Sequence, residues 1–154
     1  MTEGQVSPSR GAFRDGVYVF PVRVYFEDTD AVGIVYYANY FKFAERARTE
    51  FMRDIGTDYV AELAAEGGAF AVRQCAADYL KPARLDDLLE VETRLTEVKG
   101  ASLRAEQTVC RDGIDLVRLN LRLAVISDDG RPLRLPAGLR AILDDICNGT
   151  ERRN

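Results

Sequence analysis

Apolar and polar positions change period partway along the chain. Val17 to Glu27 is rich in Val, Tyr and Phe and predicts a first strand, with Pro21 suited to an exposed or edge position. From about Tyr36 to Arg53 the pattern becomes helical: Tyr40, Ala44, Ala47 and Phe51 recur on one face, flanked by Tyr37, Phe41 and Phe43. Lys42, Glu45, Arg46, Thr49, Glu50 and Arg53 supply most of the polar side. The apolar stripe is wide, which predicts a well-buried helix. Gly56 is a stop signal, and a shorter helix is predicted over about Thr57 to Glu66, ending at Gly67-Gly68.

Beyond that point the period is two. Phe70 to Leu80 alternates partly and ends at Pro82. Three cleaner runs follow: Leu89 to Thr96, Ser102 to Val109, and Val117 to Val125. Lys99-Gly100 and Asp112-Gly113 lie between them as hairpin turns, and Asp129-Gly130 marks the next turn. Pro136 to Cys147 reads as a terminal helix with Pro136 near its first position. A strand, a long helix, a short helix and four antiparallel strands make one α+β domain. The sheet has one apolar face to cover, and the long helix is the obvious cover. The expected organisation is a flexible tail over 1–16, a single domain over 17–147 and a short C-terminal tail over 148–154.

Composition narrows the chemistry. The 154 residues suffice for one core, and 47% apolar with 30% charged content is ordinary for a globular protein. A net charge of −4 gives no support to nucleic-acid binding. No apolar run reaches transmembrane length, and the first residues lack the apolar core of a signal peptide. Cys75, Cys110 and Cys147 are far apart and odd in number, which suits reduced cytoplasmic thiols.

The chain contains no histidine. Ser-His-Asp and Cys-His arrangements, His-containing zinc sites and HExxH proteases are therefore excluded. An enzyme built from this chain would take a carboxylate as base or nucleophile. Asp28 and Asp30 sit in the turn before the long helix. Two readings stand side by side: an Asx turn or cap, or Asp30 as nucleophile or general base, ionised at neutral pH without a partner histidine. The helix start offers unpaired N–H groups and a partial positive charge to a polarised carbonyl. Gly33 permits a tight turn and would also admit a ligand to the backbone. Tyr36, Tyr37 and Tyr40 fit either core positions or the wall of an acyl or aromatic pocket.

The run Glu27-Asp28-Thr29-Asp30-Ala31-Val32-Gly33-Ile34-Val35-Tyr36-Tyr37-Ala38-Asn39-Tyr40, followed by Glu45-Arg46-Ala47-Arg48-Thr49-Glu50, resembles the hotdog-fold acyl-CoA thioesterases. The likeness extends over about Val22 to Leu139 and takes in Asp129 to Pro136. It points to the branch associated with the Tol-Pal envelope system, and more distantly to 4-hydroxybenzoyl-CoA thioesterase. The resemblance implies a hotdog fold, an antiparallel sheet wrapped around a central helix. It implies Asp30 as the catalytic carboxylate and the backbone N–H of Tyr37 as the donor that polarises the carbonyl. Coenzyme A would enter as part of the substrate, with no cofactor and no metal. Acyl-CoA, or an acyl carrier protein thioester, would be the partner, and the chain would form a homodimer or homotetramer in the cytoplasm. Many members of the Tol-Pal branch carry histidine where this chain has Tyr37, whereas the hydroxybenzoyl branch carries tyrosine. Gly33, Tyr36, Tyr40 and Lys99 are the expected substrate-binding residues. Lys99 has two readings, a contact to the nucleotide end of coenzyme A and a solvated turn lysine. The rival from another class is a non-catalytic acyl-thioester-binding or envelope-machinery protein of the same fold.

Overall fold

A computed structural model describes Gly4 and residues 10–152. The strands are β1 (Ala12–Arg14), β2 (Val17–Arg23), β3 (Gly68–Tyr79), β4 (Leu88–Val98), β5 (Ser102–Arg111) and β6 (Ile114–Ser127). The helices are α1 (Asn39–Ala65) and α2 (Ala137–Arg152), and a short 3-10 turn covers Phe26–Asp28. The strands form one antiparallel sheet in the order β1-β2-β4-β5-β6-β3. This is the expected hotdog arrangement, with α1 packed across β2, β4, β5 and β3.

The two-residue period places the core. Leu89, Val91, Thr93 and Leu95 on β4, Leu103, Ala105, Gln107 and Val109 on β5, and Val117 to Val125 at alternate positions on β6 are buried beneath α1. The helix meets them with Tyr40, Phe43, Ala44, Ala47 and Phe51. A register shift between Leu95 and Glu97 carries the extra residue Thr96 out of the β4 alternation.

Several boundaries differ from the pattern-based expectation. Part of the expected tail over 1–16 lies outside the described residues, but Ala12–Arg14 is a strand paired with β2. The first long strand stops at Arg23, because Asp28 holds the following backbone in a 3-10 turn. α1 begins at Asn39 rather than near Tyr36. Gly56 interrupts it with extended backbone (φ 163°, ψ 84°), so the two predicted helical segments join as one broken element. α2 continues to Arg152, so residues 148–152 are helix rather than tail. The first strand after α1 does not pair with the next in sequence. β3 crosses to the far edge and pairs only with β6, so its other edge is open in the protomer. Cys75, Cys110 and Cys147 are free thiols. Among the described residues no helix is long and apolar enough to cross a membrane.

Candidate active site

The two aspartates of the turn have different environments. Asp28 is 7% exposed, and its Oδ2 accepts the N–H of Tyr25 at 2.8 Å while its own N–H donates to Tyr25 O at 3.0 Å. Its carbonyl oxygen accepts both the Tyr36 N–H and the Asn39 side-chain N–H, each at 2.9 Å. Asp28 thus ties the exit of β2 to the start of α1. A buried carboxylate engaged this way is a structural element.

Asp30 lies on a small hairpin closed by the Thr29–Val35 bridge. Its N–H donates to Ile34 O at 2.9 Å, and Gly33 N–H donates to Asp30 O at 3.0 Å. The carboxylate Oδ1 accepts the Val32 N–H at 2.9 Å, an Asx turn. The other oxygen, Oδ2, has no hydrogen-bond donor among the described residues, and the residue is half-buried. One oxygen fixes the side chain and leaves the other without a donor among the described residues. Gly33 adopts φ +86°, and a Cβ there would meet nothing within 4 Å. In the protomer the glycine answers a backbone requirement, not a spatial one.

The peptide between Tyr36 and Tyr37 is held at its carbonyl. Asn39 N–H donates to Tyr36 O at 2.8 Å, and because the peptide is planar the Tyr37 N–H points the opposite way. That N–H has no acceptor among the described residues. It lies just ahead of α1, whose N-cap residue Ala38 makes no side-chain cap bond, so the positive end of the helix is open there. Tyr37 O accepts the hydroxyl of Tyr79 at 3.1 Å.

The three tyrosines divide. Tyr36 and Tyr37 are 46% and 59% exposed, with ring centroids 4.8 Å apart. Of the two readings for Tyr40, its burial fits the core position: it is 3% exposed, and its hydroxyl oxygen accepts the Ala83 N–H at 3.1 Å. Burial raises the Tyr40 and Tyr79 hydroxyls above the ordinary phenol range, so both are protonated at neutral pH and act as hydrogen-bonding groups.

A support loop of residues 80–87 braces the hairpin. Val35 N–H donates to Ala83 O at 2.9 Å, and Ile34 bridges Arg84. Asp87 Oδ2 accepts the Arg84 N–H at 2.8 Å and Arg111 Nη1 at 2.6 Å, fixing the loop to β5. The sequence pattern did not single out Tyr79, Asp87 or Arg111, because each acts across the sheet. Asn39 stood inside the quoted motif, but nothing local signalled its bond to Asp28.

Lys99 is exposed in the β4–β5 turn, where its N–H donates to Ser102 O and its Nζ lies 3.6 Å from Glu97 Oε1. The eleven residues of β4, roughly 35 Å of strand, separate this turn from the loop that braces Asp30. One protomer therefore does not bring Lys99 to Asp30. Among the described residues no group of three or more His, Cys, Asp or Glu is placed to hold a metal ion.

Residues 32–118 match the Thioesterase superfamily. The acyl-CoA thioesterase YbgC of Haemophilus influenzae is 43% identical over 129 residues, covering 82% of this chain and 94% of that protein. The acyl-CoA thioester hydrolase YbgC of Escherichia coli O6:H1 is 50% identical over 93 residues, 60% of this chain and 69% of that protein. A crystal structure of a probable thioesterase from Bartonella henselae superposes with a TM-score of 0.70 at 38% identity, covering 78% of this chain and 98% of that one.

Proposed function

The chain belongs to the thioesterase superfamily, and we propose that it hydrolyses acyl-CoA to a free acid and coenzyme A with Asp30 as the acting carboxylate. The observation that carries this reading is that, among the described residues, one Asp30 carboxylate oxygen has no donor and the Tyr37 N–H at the start of α1 has no acceptor. Asp28 and Asn39 hold both on one braced unit.

The thioester carbonyl oxygen accepts the Tyr37 N–H, and negative charge developing there is stabilised by the amide and the helix end behind it. Two routes use the same geometry. In one, Asp30 Oδ2 attacks the carbonyl carbon, coenzyme A leaves as thiolate, and water then cleaves the mixed anhydride. In the other, Asp30 takes a proton from water, the hydroxide adds, and the tetrahedral intermediate expels the thiolate. A thiol has a pKa of about 8.5, so the leaving group departs without a strong general acid. A site without histidine is adequate for this reaction. No metal or further cofactor takes part.

Gly33 sets the turn and Tyr36 borders the entrance. The open edge of β3, twelve residues without proline, supports pairing with a second copy into a homodimer, and two such dimers would give a tetramer. Lys99 would serve the nucleotide end of coenzyme A only from a neighbouring protomer. The resemblance to the Tol-Pal branch and a cytoplasmic location belong to the same reading, with acyl carrier protein as the other carrier to assay.

The test is free-thiol release from a panel of acyl-CoA and acyl carrier protein thioesters, wild type beside Asp30→Asn. The expected outcome is a fall of about 10²–10⁴ in kcat for the variant with its fold intact. Equal turnover would overturn the role of Asp30. No wild-type turnover on either carrier would favour a non-catalytic thioester-binding protein.

A further inference from the structure

A pocket of about 170 Å³ opens on the face of the sheet turned away from α1. Gln74 on β3, Thr96 on β4, Arg104 on β5, and Asn120 and Arg122 on β6 form its polar wall. None of the residues that line it is acidic. The pocket is separate from the Asp30 loop. Arg104 and Arg111, the residue that latches that loop, stand near opposite ends of β5, a strand of ten residues and roughly 33 Å.

The strand register sets two arginines against each other. Arg104 is the direct partner of Arg122 across β5 and β6, and Gln74 meets Arg122 from the β3 side. Side chains placed this way have Cβ atoms about 5 Å apart, and like charges there repel. Two other arginines of the same face are neutralised: Arg94 Nη2 lies 3.2 Å from Glu92 Oε2, and Arg118 Nη2 lies 2.9 Å from Asp115 Oδ2. Arg104 is only partly neutralised. Its Nε donates to Glu97 Oε2 at 3.2 Å, but Glu97 also stands 3.6 Å from Lys99 Nζ. Glu106, opposite Asn120 in the next row, does not line the pocket. Among the described residues the side chain of Arg122 has no ion pair and no hydrogen bond, and those of Gln74, Thr96 and Asn120 have no hydrogen bond either.

We infer that this pocket binds a phosphate-sized oxyanion between Arg104 and Arg122. Two facing guanidinium forks match the oxygens of a tetrahedral dianion, and the dianion cancels the repulsion between them. The amides of Gln74 and Asn120 and the Thr96 hydroxyl add neutral donors. Volume sets the size of the ligand. At roughly 30 Å³ per water molecule the pocket holds about six, enough for a phosphate group with a few waters and too little for a nucleotide. The ligand is therefore free phosphate, or the terminal phosphomonoester of a larger molecule whose body stays outside. Because Gln74 belongs to β3, the bound group ties the edge strand to the centre of the sheet.

The experiment is thermal melting of the full chain at about pH 8, where a phosphomonoester is a dianion. Sodium phosphate, and separately glycerol phosphate, replaces sodium chloride at constant ionic strength. Wild type is expected to gain about 3 °C in Tm at about 20 mM ligand, and titration calorimetry is expected to show one site per chain. Arg122→Gln and Arg104→Gln remove one fork each. Both side chains are exposed, so both variants are expected to melt cooperatively in chloride and to keep wild-type thiol release from acyl-CoA. Each is expected to lose most of the response to phosphate. A rise with both ligands means that the free anion suffices, and a rise with the ester alone assigns the site to a phosphorylated molecule. No rise with either ligand beyond chloride, or a full rise in both variants, overturns the site.

Discussion

The hydroxyl of Tyr79, the last residue of β3, donates to the carbonyl oxygen of Tyr37 at 3.1 Å. A residue on the open edge of the sheet is thereby fastened to the turn that carries the free Tyr37 N–H. The bond also couples the place where a second copy would pair to the place where a carbonyl would be polarised.

Tyr79→Phe removes that bond and keeps the ring, whose centroid lies 6.2 Å from that of Tyr37. One neutral hydrogen bond contributes about 0.5–1.5 kcal/mol. The expected result is a fall of roughly 2- to 10-fold in kcat with KM little changed, since Tyr79 acts by positioning Tyr37. Steady-state kinetics on one good acyl-CoA substrate checks it. A rise in KM with unchanged kcat would mean that the hydroxyl contacts substrate instead.

Asp28 and Asp30 separate stability from activity. Asp28→Ala leaves the Tyr25 N–H without its carboxylate and is expected to cost about 1–3 kcal/mol. For a chain of this size that lowers Tm by roughly 2–4 °C per kcal/mol. Asp30→Asn retains a side-chain oxygen for the Val32 N–H, so its Tm is expected within about 2 °C of wild type while activity collapses. Calorimetry on both variants decides. A large Tm loss in Asp30→Asn would make its inactivity a folding effect.

The centre of the sheet was legible because its alternation is regular there: Leu103, Ala105, Gln107 and Val109 are buried as their spacing requires. The stripe of α1 was legible for the same reason at the helical period. The entry to the helix was not. Tyr36 and Tyr37 continue the apolar pattern, yet the bond from Tyr36 N–H to Asp28 O holds Tyr36 in the hairpin and delays α1 to Asn39. Nor does periodicity report which strands pair, so the placement of β3 beside β6 and the role of Tyr79 emerge only from the tertiary arrangement. The proposal of Asp30 and the Tyr37 amide came from the motif, whereas the residues that brace their loop, Asp87 and Arg111, are separated by 24 positions in sequence.

Gln107 is a polar residue at a core position, fully buried, and its side chain serves three partners: Arg48, Thr93 and the carbonyl of Ala44. Burial depresses the Arg48 guanidinium, with Glu45 opposing, and Gln107 is its hydrogen-bond acceptor. Gln107→Leu is expected to destabilise by about 2–4 kcal/mol, because it orphans several buried groups at once. Removing Arg48 as well, as in Gln107→Leu with Arg48→Met, is expected to recover part of that loss. A double-mutant cycle by chemical denaturation measures it, and strictly additive losses would mean that the two side chains are uncoupled.

The latch between Asp87 and Arg111 predicts a pH signature. Burial alone would raise the Asp87 carboxyl, but the Arg84 N–H, the Arg111 hydrogen bond and the charges of both arginines outweigh it and hold the group below the usual carboxylate range. A carboxyl depressed on folding contributes stability that is present above its unfolded value, about 3.9, and disappears as pH falls through the lower folded value. Both partners are partly exposed, so the contribution is modest, about 1 kcal/mol. Asp87→Asn should therefore lower Tm by roughly 2–4 °C at pH 7, with the gap closing as pH falls below about 4. Because the same loop carries Ala83 and Arg84 against the Asp30 hairpin, the variant should also lose activity at pH 7. Thermal melts of both proteins from pH 7 down to about pH 2.5 give the answer. A gap constant across that range would assign the loss to packing rather than to the charge on Asp87.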